Sequence, residues 1–175
     1  MKPKVGIISA GALGTALAQS ISKNNDNILL WGRNPELINE INKEHTNSKY
    51  YPNFQLNENI IGIDDLEKLH DCNVIILAIP SSVIREMMEK LAKIISPDCA
   101  IITTIKGIEL SSHKTMSQII NEYVDNATYV LSGPNIAKEI MNNFPAATSI
   151  AGKGDFELVK SVFDGSNMKV DYNGY

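Results

Sequence analysis

The chain has 175 residues, of which 43% are apolar and 21% are charged. These are the proportions of a globular protein and exclude disordered and collagen-like chains. A formal net charge of −4 leaves no basic excess to hold a nucleic-acid backbone, so we expect no nucleic-acid partner.

Short apolar runs alternate with longer amphipathic segments along the chain. In chain order we predict a strand at 5–8, a helix at 16–21, a strand at 27–31, a helix at 35–45, a strand at 73–78, a helix at 81–95, a strand at 100–104, a helix at 113–123, a strand at 129–132, a helix at 137–141, a strand at 146–151, a helix at 156–163 and a strand at 168–170. The polar segment 44–59 is predicted to be a surface excursion rather than a linker.

This alternation is typical of an α/β fold of the doubly wound Rossmann type, with a mostly parallel sheet and helices on both faces. Continuous apolar runs are expected for strands that helices cover on both sides. Residues 171–175 provide no terminal helix that would close a second core, so we predict one domain over 1–175.

The cysteines and histidines follow no metal-binding or disulfide pattern. Cys72 and Cys99 lie far apart and are predicted to be two reduced thiols, and the histidines His45, His70 and His113 are predicted to be surface residues without a metal. The apolar run 74–80 is far shorter than the roughly 20 residues that span a bilayer. With no secretory signal at its start, the chain is expected to be cytoplasmic, without membrane insertion.

A glycine-rich turn follows the first predicted strand. The dinucleotide fingerprint G-x-G-x-x-G is met at Gly11 and Gly14, whereas Ser9 occupies the first glycine position. Gly11 would let a diphosphate approach the backbone, and Gly14 would let the helix pack close to the strand. Ser9 predicts a distorted turn or weaker cofactor binding. The alternative is an ordinary strand–helix turn.

The end of the second strand indicates which nucleotide is bound. An acid there would hold the ribose of NAD, but the residues are Trp31, Gly32, Arg33 and Asn34. Arg33 faces the 2′-phosphate of NADP in one interpretation and is a solvated side chain in the other. NADP is therefore slightly favoured over NAD.

Three other predicted strand ends carry unusual residues. Pro80 precedes a serine that is suited to cap the next helix, Lys106 is followed by a glycine, and Gly133 and Asn135 follow another strand. At a cleft, Lys106 would hold a phosphate or a carbonyl oxygen, and Asn135 would offer an amide to a substrate. A surface lysine and ordinary turns explain the same residues.

Taken together, six segments in family order resemble the bacterial type of NAD(P)-dependent glycerol-3-phosphate dehydrogenase. They are AGALGTALA at 10–18, LWGRNP at 30–35, YYP at 50–52, IPS at 79–81, KGIE at 106–109 and LSGPNIAKE at 131–139. The resemblance implies reversible reduction of dihydroxyacetone phosphate to sn-glycerol 3-phosphate, which supplies phospholipid synthesis, with NADP or NAD as cofactor.

The resemblance also assigns site residues by position. It implies cofactor contacts from Ser9, Gly11, Ala12, Leu13, Gly14, Arg33, Lys106 and Ala137. It implies substrate contacts from Lys106, Gly133 and Asn135. Lys106 would stabilise the developing oxyanion, while the general acid/base lysine belongs to a helical C-terminal domain that lies beyond residue 175.

We therefore expect little or no turnover from this chain alone, because a proton must reach the developing alkoxide. Its expected partners are a phosphorylated small molecule and either the missing C-terminal domain or a second copy that covers exposed apolar surface. Two alternatives stay open: a non-catalytic nucleotide-binding module, and the N-terminal domain of another hydroxy-acid dehydrogenase.

Overall fold

One eight-stranded sheet organises the computed structural model, which describes residues 2–173. Met1, Gly174 and Tyr175, which the one-domain prediction includes, lie outside the described residues. The strands are β1 Val5–Ile8, β2 Ile28–Trp31, β3 Ile60–Ile63, β4 Val74–Leu77, β5 Ala100–Thr103, β6 Thr128–Ser132, β7 Ala146–Gly152 and β8 Met168–Tyr172. The α-helices are α1 Ala12–Ile21, α2 Pro35–Glu44, α3 Ile84–Leu91, α4 Met116–Ile120, α5 Ala137–Met141 and α6 Phe156–Phe163. Two 3-10 helices span Leu66–Leu69 and Ser81–Val83.

The strand order confirms the predicted doubly wound fold. The sheet runs β3-β2-β1-β4-β5-β6-β7-β8, and every neighbouring pair is parallel except β6 with β7. The chain leaves β1 toward β2 on one side and later returns to β4 on the other. This reversal opens a crevice beyond the carboxyl ends of β1 and β4, which is where open α/β sheets bind ligands.

Alternate side chains of the central strands enter two separate cores. Ile7 and Ile76 pack with α1, α2, α5 and α6 on one face, whereas Ile8 and Leu77 pack with α3 and α4 on the other. All of these strand residues are buried. Both faces of the sheet are therefore covered, which explains the continuous apolar runs from which the parallel strands were predicted.

The structure corrects several predicted boundaries. The first helix begins at Ala12, four positions before the predicted start, and the helix predicted at 81–95 is a 3-10 turn followed by α3. The helix predicted at 113–123 contains only Met116–Ile120. Neither β3 nor the 3-10 helix Leu66–Leu69 was predicted, because Gly62 interrupts the apolar run of β3 and the 3-10 helix is a single turn between polar residues.

The segment 44–59 is the surface excursion that was predicted, but three of its residues are buried. Asn47 is completely buried, and Tyr51 and Leu56 are nearly so, because this loop packs against the start of α1. Its remaining polar residues face solvent, which explains the polar pattern.

The cysteines are free, as predicted, and both are buried. Burial raises the pKa of the Cys72 thiol and that of the Cys99 thiol to about 12. Among residues 2–173, no helix is long and apolar enough to cross a membrane. The same residues contain no group of three or more histidine, cysteine or acidic side chains arranged to hold a metal ion.

Candidate functional site

The turn between β1 and α1 is built on a close backbone approach. A Cβ on Gly14 would lie 1.8 Å from the carbonyl oxygen of Ser9, so only glycine fits there. Ser9 has a φ of 112°, a conformation that glycine adopts easily and side chains rarely do. The substituted serine therefore keeps the backbone path of the fingerprint glycine, and α1 begins normally, with the Thr15 N–H donating to the Gly11 carbonyl (3.0 Å).

The Ser9 side chain folds back over the turn. Its Oγ accepts a hydrogen bond from the Gly11 N–H (3.2 Å) and lies 3.0 Å from the position of a Cβ on Gly11. This contact occupies one amide of the turn. It also shows what Ser9 changes, since a glycine at this position would leave that amide free.

The start of α1 lacks a side-chain cap, as do the starts of α3 and α5. Asn34, Thr115 and Asp155 cap α2, α4 and α6, whereas Gly11 caps α1 without a side chain. No acidic residue lies in the first turn of α1, and within residues 2–173 the N–H groups of its first three residues have no acceptor. Free N–H groups and the helix dipole make this end suitable for an anion.

A cavity of about 380 Å³ extends from this turn past the end of β2 to α3. Trp31, Ile79 and Met87 contribute apolar wall, which suits a flat aromatic base. Arg33 lies on its rim and is exposed, as both interpretations of this residue required. The structure thus places Arg33 and Gly11 in one cavity.

Three basic side chains and one acidic side chain line this cavity: Arg33, Lys49, Lys90 and Glu86. Lys90 Nζ lies 2.6 Å from Glu86 Oε1, within one turn of α3. The pKa of the Glu86 carboxyl is lowered first by this bond to Lys90 and also by the charge of Arg33. Among residues 2–173, Arg33 and Lys49 are therefore left without an ion-paired acid. This excess of positive charge favours a ligand that carries an additional phosphate.

The predicted substrate residues come together beyond β5 and β6. Lys106 Nζ donates to the Gly133 carbonyl (2.8 Å), and the Asn135 N–H donates to the same oxygen (2.8 Å). Gly107 turns the chain after Lys106 with a φ of 102°. The Asn135 Oδ1 atom is buried and has no hydrogen-bond partner within residues 2–173.

Ala137 and Leu13 occupy different surroundings. Ala137 faces Ala12 across a second cavity of about 570 Å³, walled mainly by Tyr50, Tyr51 and Phe54. The structure therefore brings Ala137 to the phosphate-binding turn. Leu13 is half-buried against the core and lines neither cavity, so its predicted cofactor contact has no geometric support here.

The prediction that a serine after Pro80 caps the next helix was wrong. Pro80 itself occupies the cap position of the 3-10 helix Ser81–Val83, and no side chain caps that helix or α3. Ser81 and Ser82 instead line a shallow cavity beside Arg85 and Glu109. The fixed φ of Pro80 limits the chain direction at this strand end but supplies no side-chain acceptor for the free N–H groups.

Several residues of the site had not been predicted. Lys49 and Tyr50 belong to the 44–59 loop, whose polar composition resembled ordinary surface. Glu86 and Lys90 have the i,i+4 spacing of a helical ion pair, and their position shortly after the 74–77 strand was a usable signal. Asn47, which contacts the turn from behind, carried no signal at all.

Comparison with known proteins gives a consistent assignment. Residues 4–156 match the family described as NAD-dependent glycerol-3-phosphate dehydrogenase N-terminus. The chain is 38% identical over 159 residues to a glycerol-3-phosphate dehydrogenase (NAD(P)+) of Acinetobacter baumannii strain SDF, covering 90% of this chain and 44% of that protein. A Carboxydothermus hydrogenoformans protein of the same name is 36% identical over 162 residues, covering 90% of this chain and 48% of that protein.

Solved structures show the same relationship. The glycerol-3-phosphate dehydrogenase of Coxiella burnetii superposes with a TM-score of 0.88 at 25% identity, covering 98% of this chain and 54% of that one. A pyrroline-5-carboxylate reductase of the same organism reaches 0.73 at 12% identity, covering 100% and 60% of the two chains, and shows the shared fold alone. This chain spans about half the length of the relatives that it matches.

Proposed function

Because the chain belongs to the family of N-terminal domains of NAD-dependent glycerol-3-phosphate dehydrogenases, we propose that it binds NADPH or NADH across the start of α1. The prediction of NAD or NADP is confirmed for the family, since the family description and the names of the relatives specify these cofactors. The observation that carries the proposal for this chain is the uncapped helix start behind a turn that excludes a side chain at Gly14. A diphosphate there would accept from N–H groups that are otherwise free.

We propose that the adenosine half lies in the cavity beside β2, with NADP(H) preferred over NAD(H). The residues directly after β2, Gly32, Arg33 and Asn34, include no acid to hold a 2′-hydroxyl, while Arg33 and Lys49 line the cavity and are available for a 2′-phosphate. Glu86 would repel that phosphate, but its bond with Lys90 offsets the charge. The cavity therefore attracts the more highly charged cofactor.

At the other end we propose that Lys106, Gly133 and Asn135 contact the substrate. The cofactor supplies the hydride when bound. Lys106 would hold the carbonyl oxygen of dihydroxyacetone phosphate as it becomes an alkoxide, because an ammonium that donates once to the Gly133 carbonyl keeps two further N–H donors and its positive charge. Asn135 would bond a substrate hydroxyl through its unpartnered Oδ1 atom.

The product, sn-glycerol 3-phosphate, forms when the carbonyl carbon gains a hydride and the oxygen gains a proton. We propose that the proton donor belongs to the C-terminal part that the relatives have and this chain does not span, so the chain alone lacks turnover. We also propose that the complete enzyme is cytoplasmic and supplies a phospholipid precursor. Exposed Ile136 and Phe144 support a covering partner, either that C-terminal part or a second copy, and light scattering tests the second copy.

Fluorescence titration of the chain with NADPH and NADH tests the cofactor proposal. We expect saturable binding of both, with NADPH tighter, and no saturable binding of either would overturn it. An assay of dihydroxyacetone phosphate reduction should show no turnover with the chain alone, and turnover when the C-terminal part of a relative is fused after residue 173. Binding without turnover in the fusion would favour a non-catalytic nucleotide-binding module.

A further inference from the structure

A buried asparagine lies behind the phosphate-binding turn. Asn47 has no solvent exposure, although its neighbours Thr46 and Ser48 are polar and the segment resembles surface. Its Nδ2 donates to the Ala10 carbonyl (3.1 Å) and to Thr15 Oγ1 (2.9 Å). One side chain from the 44–59 loop thus joins the two ends of the turn.

The orientation of this amide is determined by its partners. The Ala10 carbonyl can only accept, so the flipped amide would place oxygen against oxygen. In the observed orientation the Asn47 Oδ1 atom is buried without a partner among residues 2–173. Leaving that acceptor unpaired costs free energy, which indicates that the two donated bonds are what the position requires.

The main chain of Asn47 bonds the next part of the 44–59 loop, which in turn contacts the start of α1. Its carbonyl accepts from the Tyr50 N–H (3.2 Å) and the Tyr51 N–H (2.8 Å), and the Tyr51 hydroxyl donates to the Ala12 carbonyl (2.7 Å). All of these bonds to the turn use its carbonyl oxygens or the Thr15 hydroxyl. None uses an N–H group of the turn, so within residues 2–173 the N–H groups of the first three residues of α1 stay free, while that of Gly11 is bonded to Ser9 Oγ.

We propose that Asn47 is a positioning residue for diphosphate binding, an inference that rests on the proposed cofactor site. By holding the Ala10 carbonyl and the Thr15 hydroxyl from behind, it keeps the turn in the path that presents its N–H groups to a ligand. Through its main chain it also fixes the loop that brings Lys49 and Tyr50 to the adenosine cavity. Asn47→Ala removes the side-chain bonds that hold the turn but keeps the main-chain bonds that hold the loop.

Calorimetric titration with two ligands separates these functions. Adenosine 2′-phosphate needs the basic cavity alone, whereas ADP-ribose 2′-phosphate also needs the turn. For Asn47→Ala we expect the Kd of ADP-ribose 2′-phosphate to rise about tenfold and that of adenosine 2′-phosphate to change less than about twofold. If Asn47 had a merely structural role, Asn47→Ala would raise the Kd of both ligands equally, and that result would overturn the proposal.

The chain offers a matched control and a second variant. Asn42 also uses its amide to hold a main chain, that of Gly62, at 2.9 and 2.8 Å, but it does not contact the turn. Asn42→Ala should leave both affinities unchanged. Thr15→Val keeps the side-chain shape and removes one acceptor, so we expect it to weaken ADP-ribose 2′-phosphate about threefold, which keeps the test valid if Asn47→Ala does not fold.

The remaining outcomes are distinct. If the unaltered chain binds ADP-ribose 2′-phosphate and neither Asn47→Ala nor Thr15→Val weakens it, the positioning role alone is overturned. If the unaltered chain binds neither ligand, the proposed cofactor site is contradicted, and the positioning role with it.

Discussion

The Cα of Gly14 approaches the carbonyl of Ser9 so closely that a Cβ would lie 1.8 Å from the oxygen. At Gly11, by contrast, a Cβ would meet only the movable Ser9 Oγ, at 3.0 Å. We therefore expect Gly14→Ala to lower the free energy of unfolding by about 3 kcal/mol, and Gly11→Ala by less than about 1 kcal/mol. Urea denaturation measures both.

The affinity for NADPH should follow the reverse order: among the folded variants, we expect Gly11→Ala to weaken binding more than Gly14→Ala. The Gly11 methyl group would occupy the approach of a diphosphate, so Gly11→Ala is expected to weaken NADPH at least about tenfold despite its small effect on stability. Equal NADPH affinity in Gly11→Ala and the unaltered chain would mean that no ligand comes close to this backbone.

Ser9 combines a strained backbone with a bond that occupies the Gly11 N–H. We expect Ser9→Gly to raise the free energy of unfolding by up to about 1 kcal/mol and to tighten NADPH binding a few-fold, roughly threefold. The reason is that the strain disappears and the amide becomes free. Thermal melts and fluorescence titration provide the two measurements.

Ser9→Ala separates the two effects, because it keeps the Cβ and removes only the hydroxyl. We expect Ser9→Ala to tighten NADPH binding without raising the free energy of unfolding. Weaker binding in both variants would show instead that the Ser9 hydroxyl itself contacts the ligand.

Local patterns predicted the turn and the buried strands because their causes are local. Gly14 follows an apolar run at the fingerprint spacing, and residues such as Ile7 and Ile76 belong to runs that only a covered sheet accommodates. The strand β3 escaped prediction because Gly62 interrupts it and Ile61 is exposed. That glycine is explained only by α2, since a Cβ there would lie 3.1 Å from the Ile38 carbonyl.

The missed site residues depend on contacts between distant parts of the chain. Asn47 bonds the Ala10 carbonyl, and Lys90 and Arg33 line one cavity that exists only after the strands pair. Neither relationship leaves a periodic trace in the sequence. The 44–59 loop looked like solvent-exposed chain because its buried residues are a minority among polar neighbours.

An ion cluster that joins Arg85 of α3 to Glu109 and Glu122 predicts how stability depends on pH. Arg85 donates to both Glu109 oxygens at 2.7 Å and to Glu122 at 2.7 Å. The Arg85 bonds, then the Ser112 bond, lower the pKa of the Glu109 carboxyl from 4.5 to about 2. Since the folded pKa lies below the unfolded one, this contribution to stability is present above pH 4.5 and is lost as the pH falls toward about 2.

Glu109→Gln should therefore lower the melting temperature at neutral pH, and the difference from the unaltered chain should shrink steadily as the pH falls from 4.5 toward 2. Glu89→Gln, on the helix that carries Arg85 and outside the ion pairs seen among residues 2–173, is the control and should show no such trend. A difference that stays constant with pH would exclude the ion pair as its source.

Arg33 lies on the rim of the adenosine cavity with no acid bonded to it within the described part of the chain, residues 2–173. If Arg33 bonds a 2′-phosphate, Arg33→Gln should lower the affinity for NADPH about tenfold and change the affinity for NADH less than about twofold, because only NADPH carries that group. The NADPH affinity of the unaltered chain should also fall with added salt more steeply than that of Arg33→Gln.

Lys43→Gln is the matched control, since Lys43 is exposed in the last turn of α2 and does not line the cavity. It should leave both affinities unchanged, which excludes a general effect of net charge. Equal weakening of NADPH and NADH by Arg33→Gln would mean that the guanidinium stacks on the adenine, which both cofactors share. The preference for NADP(H) would then need another source, and Lys49 is the remaining cation of the cavity without a paired acid.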